Sequence, residues 1–308
     1  MARIEHIVAR LGDTDQPLRH RELRQLNDIG EDARETFRRA WRNVEVTRRR
    51  EIAAALTELA EENVEFDFRD VFRVLLDDDD PDVRLEAVEG LWEDDRLSTL
   101  RALLPMMNTD DDDEVRAAVA LALGRFAYRS TVDELPARVG AEVRAALLAA
   151  ASNFDLGDAV RRRAVESVGY FEGEDVTAVI AQAYASGRRP LKESALVAMG
   201  HSMDLRWLPI VEAELQSSEP ALRYEAARAC GELGAAAESL LPRLLPLAES
   251  DDLEIAQASI WALGQIGGEA AERTLKRLVH SDREAIAQAA EEALAELTLG
   301  DDAFGLLS

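Results

Sequence analysis

The chain has 308 residues, 47% of them apolar and only 5% aromatic, and its 36 Lys and Arg face 61 Asp and Glu for a net charge of −25. So acidic a chain repels phosphate backbones, which disfavours a general nucleic-acid binder. No run reaches the ~18 apolar residues of a membrane span, and a single cysteine, Cys230, excludes an intrachain disulfide.

Residues 1–16 read as a short capping helix, with Ile4, Ile7, Val8 and Leu11 on one face and Gly12-Asp13 as its stop. The stretch is charged throughout, unlike a secretory leader, so a cytoplasmic protein is the expectation. Residues 1–50 carry 12 Arg against 9 acids, whereas the remainder holds −28. Two degenerate units follow. The first runs through Pro17-Leu18-Arg19, Glu22 and Leu26 and on to an amphipathic Ala33–Val44; the second opens at Arg49, Ile52 and Leu56, with Arg48 where an apolar residue belongs. Phe68, Val71, Phe72 and Leu75 then recur at helical spacing and predict a buried stripe.

From Asp80 the units become regular. Each carries an apolar residue, a basic residue (lost at Ala256 and Ala287), a small residue four on from the start, another small residue seven on, and an apolar residue eight on, usually followed by glycine. Val83-Arg84, Val115-Arg116, Val160-Arg161, Leu191-Lys192, Leu222-Arg223, Ile255 and Ile286 open these segments, 32, 45, 31, 31, 33 and 31 residues apart. A period near thirty with helical spacing inside each unit is the signature of an α-solenoid. Helices expected before the template helices include Leu97–Met107, Val176–Ala185, Trp207–Leu215, Leu240–Ala248 and Ala271–Val279. The loops Asp80-Pro81, Glu219-Pro220 and Asp251-Asp252 carry helix-start chemistry. The spacing of 45 marks an insertion within residues 128–158, expected as a longer helix or an extra turn, and residues 299–308 look like a tail. Three regions are therefore expected: a degenerate 1–79, a regular 80–298 and the tail.

The Asp-Pro-Asp-Val-Arg at 80–84, Glu-Val-Arg at 114–116, Ala-Val-Arg at 159–161 and Ala-Leu-Arg at 221–223 resemble the HEAT-repeat family. The likeness is to its short bacterial and archaeal branch, typified by phycobilisome-lyase-like repeats. It implies an all-α, right-handed α-solenoid of about eight to nine two-helix repeats, the template helices lining the concave side. It also implies that the basic column (Arg19, Arg49, Arg84, Arg116, Arg161, Lys192, Arg223) pairs with loop aspartates of adjacent repeats, for which Asp82, Asp113 and Asp158 are at hand.

Positions two and six into each template helix should leave the core for the groove. They place Arg162, Glu166, Tyr224, Arg228, Gln257 and Trp261 there, and Tyr, Arg and Trp are what interface hot spots are made of. The opposing expectation is that Trp261 folds back onto its neighbours. Asp78, Asp79 and Asp80, with Asp111, Asp112 and Asp113, are expected to stack on one edge as an acidic patch or to serve helix N-termini. Neither run has the loop of a specific calcium site. Arg38, Arg39, Arg42 and Arg49 make the N-terminal end basic. Cys230 sits at a core position and reads as a buried thiol. None of His6, His20, His201 and His280 precedes a glutamate, unlike the metal-holding His-Glu pairs of the HEAT-like deoxyhypusine hydroxylases, so no metal or cofactor is expected. Only Lys192 and Lys276 are lysines, a bias open to salt adaptation or to a GC-rich genome.

The reading that follows is a non-enzymatic scaffold or adaptor that binds a protein or peptide on its concave face, with no membrane insertion and the oligomeric state left open. A phycobilin-lyase-like enzyme, or a nucleic-acid binder using the basic N-terminal end, are the alternatives.

Overall fold

The computed structural model describes residues 2–63 and 65–305, and among them every regular element is helical. The chain divides into two compact units, Met1–Ser167 and Val168–Ser308. The passage from degenerate to regular repeats at residue 80 falls inside the first.

In the first unit helices come in pairs, a leading helix and then a template helix. They are α1 (Ala2–Leu11) with α2 (His20–Leu23), α3 (Glu31–Trp41) with α4 (Val46–Glu62), and α5 (Arg69–Leu75) with α6 (Pro81–Glu89). Then come α7 (Leu97–Thr109) with α8 (Asp113–Thr131), and α9 (Ala137–Ser152) with α10 (Asp158–Val168). Phe37, Trp41, Phe68, Val71, Phe72 and Leu75 are all buried, as their spacing predicts. The insertion adds no element. It lengthens α8 to 19 residues and α9 to 16, against 9 in α6.

Arg48, out of place by its charge, is buried and satisfied. Its Nε donates to the carbonyl of Leu11 (2.6 Å) and its Nη2 to those of Gln16 (2.9 Å) and Asp13 (3.3 Å). It thus ties down the carbonyls at and beyond the C-terminal end of α1, where a cation is favoured. Glu22, charged at a small-residue position, is likewise buried and takes the guanidinium of Arg10.

The second unit repeats the plan with α11 (Glu174–Ala185) and α12 (Arg189–His201), then α13 (Leu208–Glu214) and α14 (Pro220–Leu233). A broken leading segment, 3₁₀ over Gly234–Leu240, α15 (Leu241–Leu244) and 3₁₀ over Leu245–Glu249, precedes α16 (Leu253–Ile266), and α17 (Gly268–Leu278) precedes α18 (Glu284–Gly305). The helix expected over Leu240–Ala248 is broken because Pro242 and Pro246 each remove a donor and crowd the carbonyl four back. Helix α18 carries into the stretch expected as a tail, and residues 306–308 lie outside the described residues. Among the described residues no helix is long and apolar enough to cross a membrane.

The template columns are packing columns. Val83, Val115, Val160, Leu191, Leu222, Ile255 and Ile286 are buried, and so are Ala87, Val119, Ala164, Ala195, Ala226, Ser259 and Ala290. Small side chains let successive template helices nearly touch: a Cβ added at Gly169 would stand 2.8 Å from the Cα of Ala198. In this way α12, α14, α16 and α18 pack one on the next. Cys230 lies in the same core, and apolar burial pushes its thiol up to about 12, so at neutral pH it is a protonated packing group.

Candidate functional site

In the second unit α14 and α16 bring Tyr224, Arg228, Gln257 and Trp261 around one open depression of about 550 Å³, with Glu254 and Ala258 completing it. Tyr224 and Trp261 are half-buried, whereas Arg228 and Gln257 are exposed. The guanidinium carbon of Arg228 lies 5.4 Å from the Trp261 ring centroid, a cation–π approach. Burial pulls the pKa of Arg228 down, but the hydrogen bond with Tyr224 and the nearby Glu232 and Glu225 outweigh it, so the net shift is upward and the cation is secure.

Trp261 also folds back in part. Elsewhere the glycine after the template meets the small residue seven into the next template helix, but at Gly231 it is the Trp261 indole that fills the place. A Cβ there would stand 2.2 Å from Cζ3 of the ring. One edge of the indole is seated on bare backbone and the rest forms the depression. Arg162, expected in the same groove, lies on α10 of the first unit and is half-buried. Glu166, expected to point off the core, is instead buried and bonded to Arg163 at 2.8 Å.

The acidic runs are largely occupied. Asp78, with only 1% of its side chain exposed, accepts from Nη1 of Arg49 (2.7 Å) and from Nε1 of Trp41 (2.6 Å). Asp80 caps α6 through the Val83 N–H (3.3 Å) and takes both arms of Arg50 (3.0 and 2.6 Å). Asp110 receives a two-armed contact from Arg84 (2.9 and 2.8 Å), while Asp111, at the same guanidinium, stays exposed. Asp112 caps α8 and Asp113 bonds Arg116 in the same turn. Of the expected edge, Asp79 and Asp111 are exposed, but Asp78 and Asp80 are buried because each faces an arginine one repeat back.

A ladder therefore exists. Arg49 reaches Asp78, Arg84 reaches Asp110, and in the second unit Lys192 reaches Glu214 at 2.7 Å. Asp82 serves Arg50 (3.0 Å), outside the column. Of these three, Arg84 with Asp110 is the two-armed pair, and such a part-buried pair is geometrically specific as well as attractive. The basic N-terminal face shrinks accordingly. Arg49 is spent on Asp78 and Arg38 on Glu35 (3.1 Å) and Asp77 (3.3 Å), while Arg39 and Arg42 are exposed.

A second depression, of about 640 Å³, lies wholly within the first unit, on α4, α6, α8 and α10. Leu85, Val88, Trp92, Ala117 and Leu121 supply its apolar surface, and Trp92 and Leu121 are 55% and 51% exposed. Glu61, Glu89 and Glu114 stand around it. Burial, then Glu86 and Glu61, push the carboxyl of Glu89 above its ordinary range. Arg125 donates to the Trp92 carbonyl and lies 4.8 Å from the Phe126 ring, and burial takes it down to about 10.

A family model for HEAT repeats matches residues 69–152 and 208–295, more than half of the chain. The chain belongs to the HEAT-repeat family. Among solved structures, this HEAT-repeat chain is similar to the complex of CpcE and CpcF of phycocyanin lyase from Nostoc sp. PCC7120. Identity there is 18% over 74% of this chain and 94% of that one, with a TM-score of 0.50. It is also similar to an engineered protein (18% identity, 96% and 88% covered, TM-score 0.43) and to importin beta (16%, 94% and 43%, TM-score 0.48). At 18% identity the likeness to the CpcE and CpcF complex speaks for the all-α solenoid fold alone. A comparison with curated protein sequences finds no match.

The HEAT register also accounts for the depression that sequence reasoning passed over. Leu85 and Glu89 are two and six residues into α6's template, and Ala117 and Leu121 occupy the same places in α8. The rule that finds Tyr224 and Trp261 finds these too. Trp92 obeys no such rule. It follows the template in the turn after α6, and nothing in the sequence separates it from a core residue. Among the described residues, no group of three or more His, Cys, Asp or Glu is arranged to hold a metal.

Proposed function

We propose that this HEAT-repeat chain is a non-enzymatic scaffold or adaptor that binds a protein or peptide on the face of its template helices, acting in the cytoplasm. The observation that carries the reading is the meeting of Tyr224, Arg228, Gln257 and Trp261 at one open depression. Two aromatic groups and a charged guanidinium, half-seated and already positioned by α14 and α16, lose little conformational freedom when a partner arrives. The spending of Arg38 and Arg49 on acids of this chain argues against a nucleic-acid role for the N-terminal end.

The test is affinity capture from the source lysate with wild type and with Tyr224→Ala/Gln257→Ala, a pair that leaves the Trp261 seat on Gly231 intact. A protein retained by wild type and lost by the variant, with both equally helical by circular dichroism, supports the reading. Equal retention by the two removes the second unit's depression from binding.

A further inference from the structure

We infer that the first unit's depression is a docking surface for a basic amphipathic peptide segment, one in which a large apolar side chain is flanked by lysine or arginine. The inference goes beyond the proposed role of the second unit's depression and does not depend on it. It starts from a contrast in how carboxylates are used. In this unit Asp78, Asp80, Asp94 and Asp110 are each held by at least one arginine. Glu61, Glu89 and Glu114 at the depression make no ion pair among the described residues.

The cations nearby do not neutralise them. Arg163 is bonded to Glu166 (2.8 Å), and Arg125 is tucked against Phe126 and the Trp92 carbonyl. The same depression is lined by Leu85, Trp92 and Leu121, and the last two are more than half exposed. An apolar side chain laid on Trp92 and Leu121 gains from burial. The same act takes water from Glu61 and Glu89, which is costly unless the occupant brings a positive charge. An acidic segment or a nucleic acid would add repulsion instead. The exposed apolar lining and the unpaired carboxylates of one depression together select a segment that is both greasy and basic.

The test uses the full chain and two fluorescein-labelled synthetic peptides, one of alternating lysine and leucine blocks and one with glutamate for each lysine. Binding is followed by fluorescence anisotropy over a range of salt. The lysine peptide is expected to bind and the glutamate peptide not. Trp92→Ala/Leu121→Ser should weaken binding by about tenfold or more, as loss of a hot-spot contact does. Glu61→Gln/Glu89→Gln should weaken it and flatten its salt dependence, while Glu291→Gln/Glu292→Gln, an equal change of charge on exposed residues of the second unit, should leave it unchanged. All these substitutions are at exposed positions, and circular dichroism verifies folding. Absence of binding, equal weakening by the Glu291/Glu292 pair, or indifference to Trp92→Ala/Leu121→Ser overturns the inference. So does sedimentation showing self-association that Trp92→Ala/Leu121→Ser abolishes, since the occupant would then be a second copy of the chain.

Discussion

Gly231→Ala sets two effects of opposite sign against each other. Gly231 lies within α14, where alanine in place of glycine is worth up to about 1 kcal/mol of helix propensity. Its new Cβ would stand 2.2, 2.6 and 2.8 Å from three ring carbons of Trp261, whereas carbon atoms at rest sit ~3.5–4.0 Å apart. The indole must retreat by roughly 1 Å or more, and overpacking of this size costs about 1–3 kcal/mol. The clash wins, for a net loss of about 1 kcal/mol. Because Trp261 is only half-buried, the ring should swing outward and reshape the depression rather than unfold α14. Urea unfolding followed by circular dichroism gives the stability, and the Trp261 indole N–H resonance reports the ring. A Gly231→Ala protein more stable than wild type with that resonance unmoved would refute the seating of the indole on bare backbone.

Other perturbations follow from the ladder and its neighbours. Asp78→Asn removes the charge that holds Arg49 and Trp41 and should cost about 3 kcal/mol; hydrogen exchange should quicken in α3 and α4 and stay unchanged in α14. Arg48→Met keeps the apolar stem but leaves the carbonyls of Leu11, Asp13 and Gln16 without their donor, so exchange in α1 should approach that of an unfolded segment. Burial alone would raise the pKa of Asp94, but hydrogen bonds from Arg96 and Thr99 overcome it and hold it at about 2. Its stabilisation, about 2 kcal/mol, is therefore complete above the ordinary 3.8 and disappears as pH falls through about 2. The difference in urea-unfolding free energy between wild type and Asp94→Asn should accordingly shrink between pH 5 and pH 2; a difference that is constant over that range would contradict the assignment.

The period of the repeats was legible because one packing problem recurs. Two helices can approach only if both contacting positions are small, and that demand stamps Ala195, Ala226 and Ser259 into register. The rungs of the ladder were not legible. In Asp77-Asp78-Asp79-Asp80-Pro81-Asp82 every aspartate can accept from an arginine, and the turn of the backbone alone decides which carboxylate points back to Arg49 and which out to water. The same holds for Trp261, whose place over Gly231 depends on a glycine one repeat earlier rather than on anything in its own helix. Arg48 shows the converse: its charge looked like a fault in the pattern, yet it is the donor set for the end of α1.

The forward reach of Arg49 to Asp78 and of Arg84 to Asp110 makes the array divisible. Residues 81–112 span one full period, from the start of α6 to the residue before α8, and their excision removes Arg84 and Asp110 together while leaving Arg49 with Asp78. The exception is Arg73, whose partners Asp94, Ser98 and Thr99 would leave with the span, and Asp80 precedes a helix as before. Copying the same span would add a complete rung in the same way. A gene built on such a unit can lengthen by internal recombination with its rungs intact, and can shorten at the expense of one ion pair, Arg73 with Asp94.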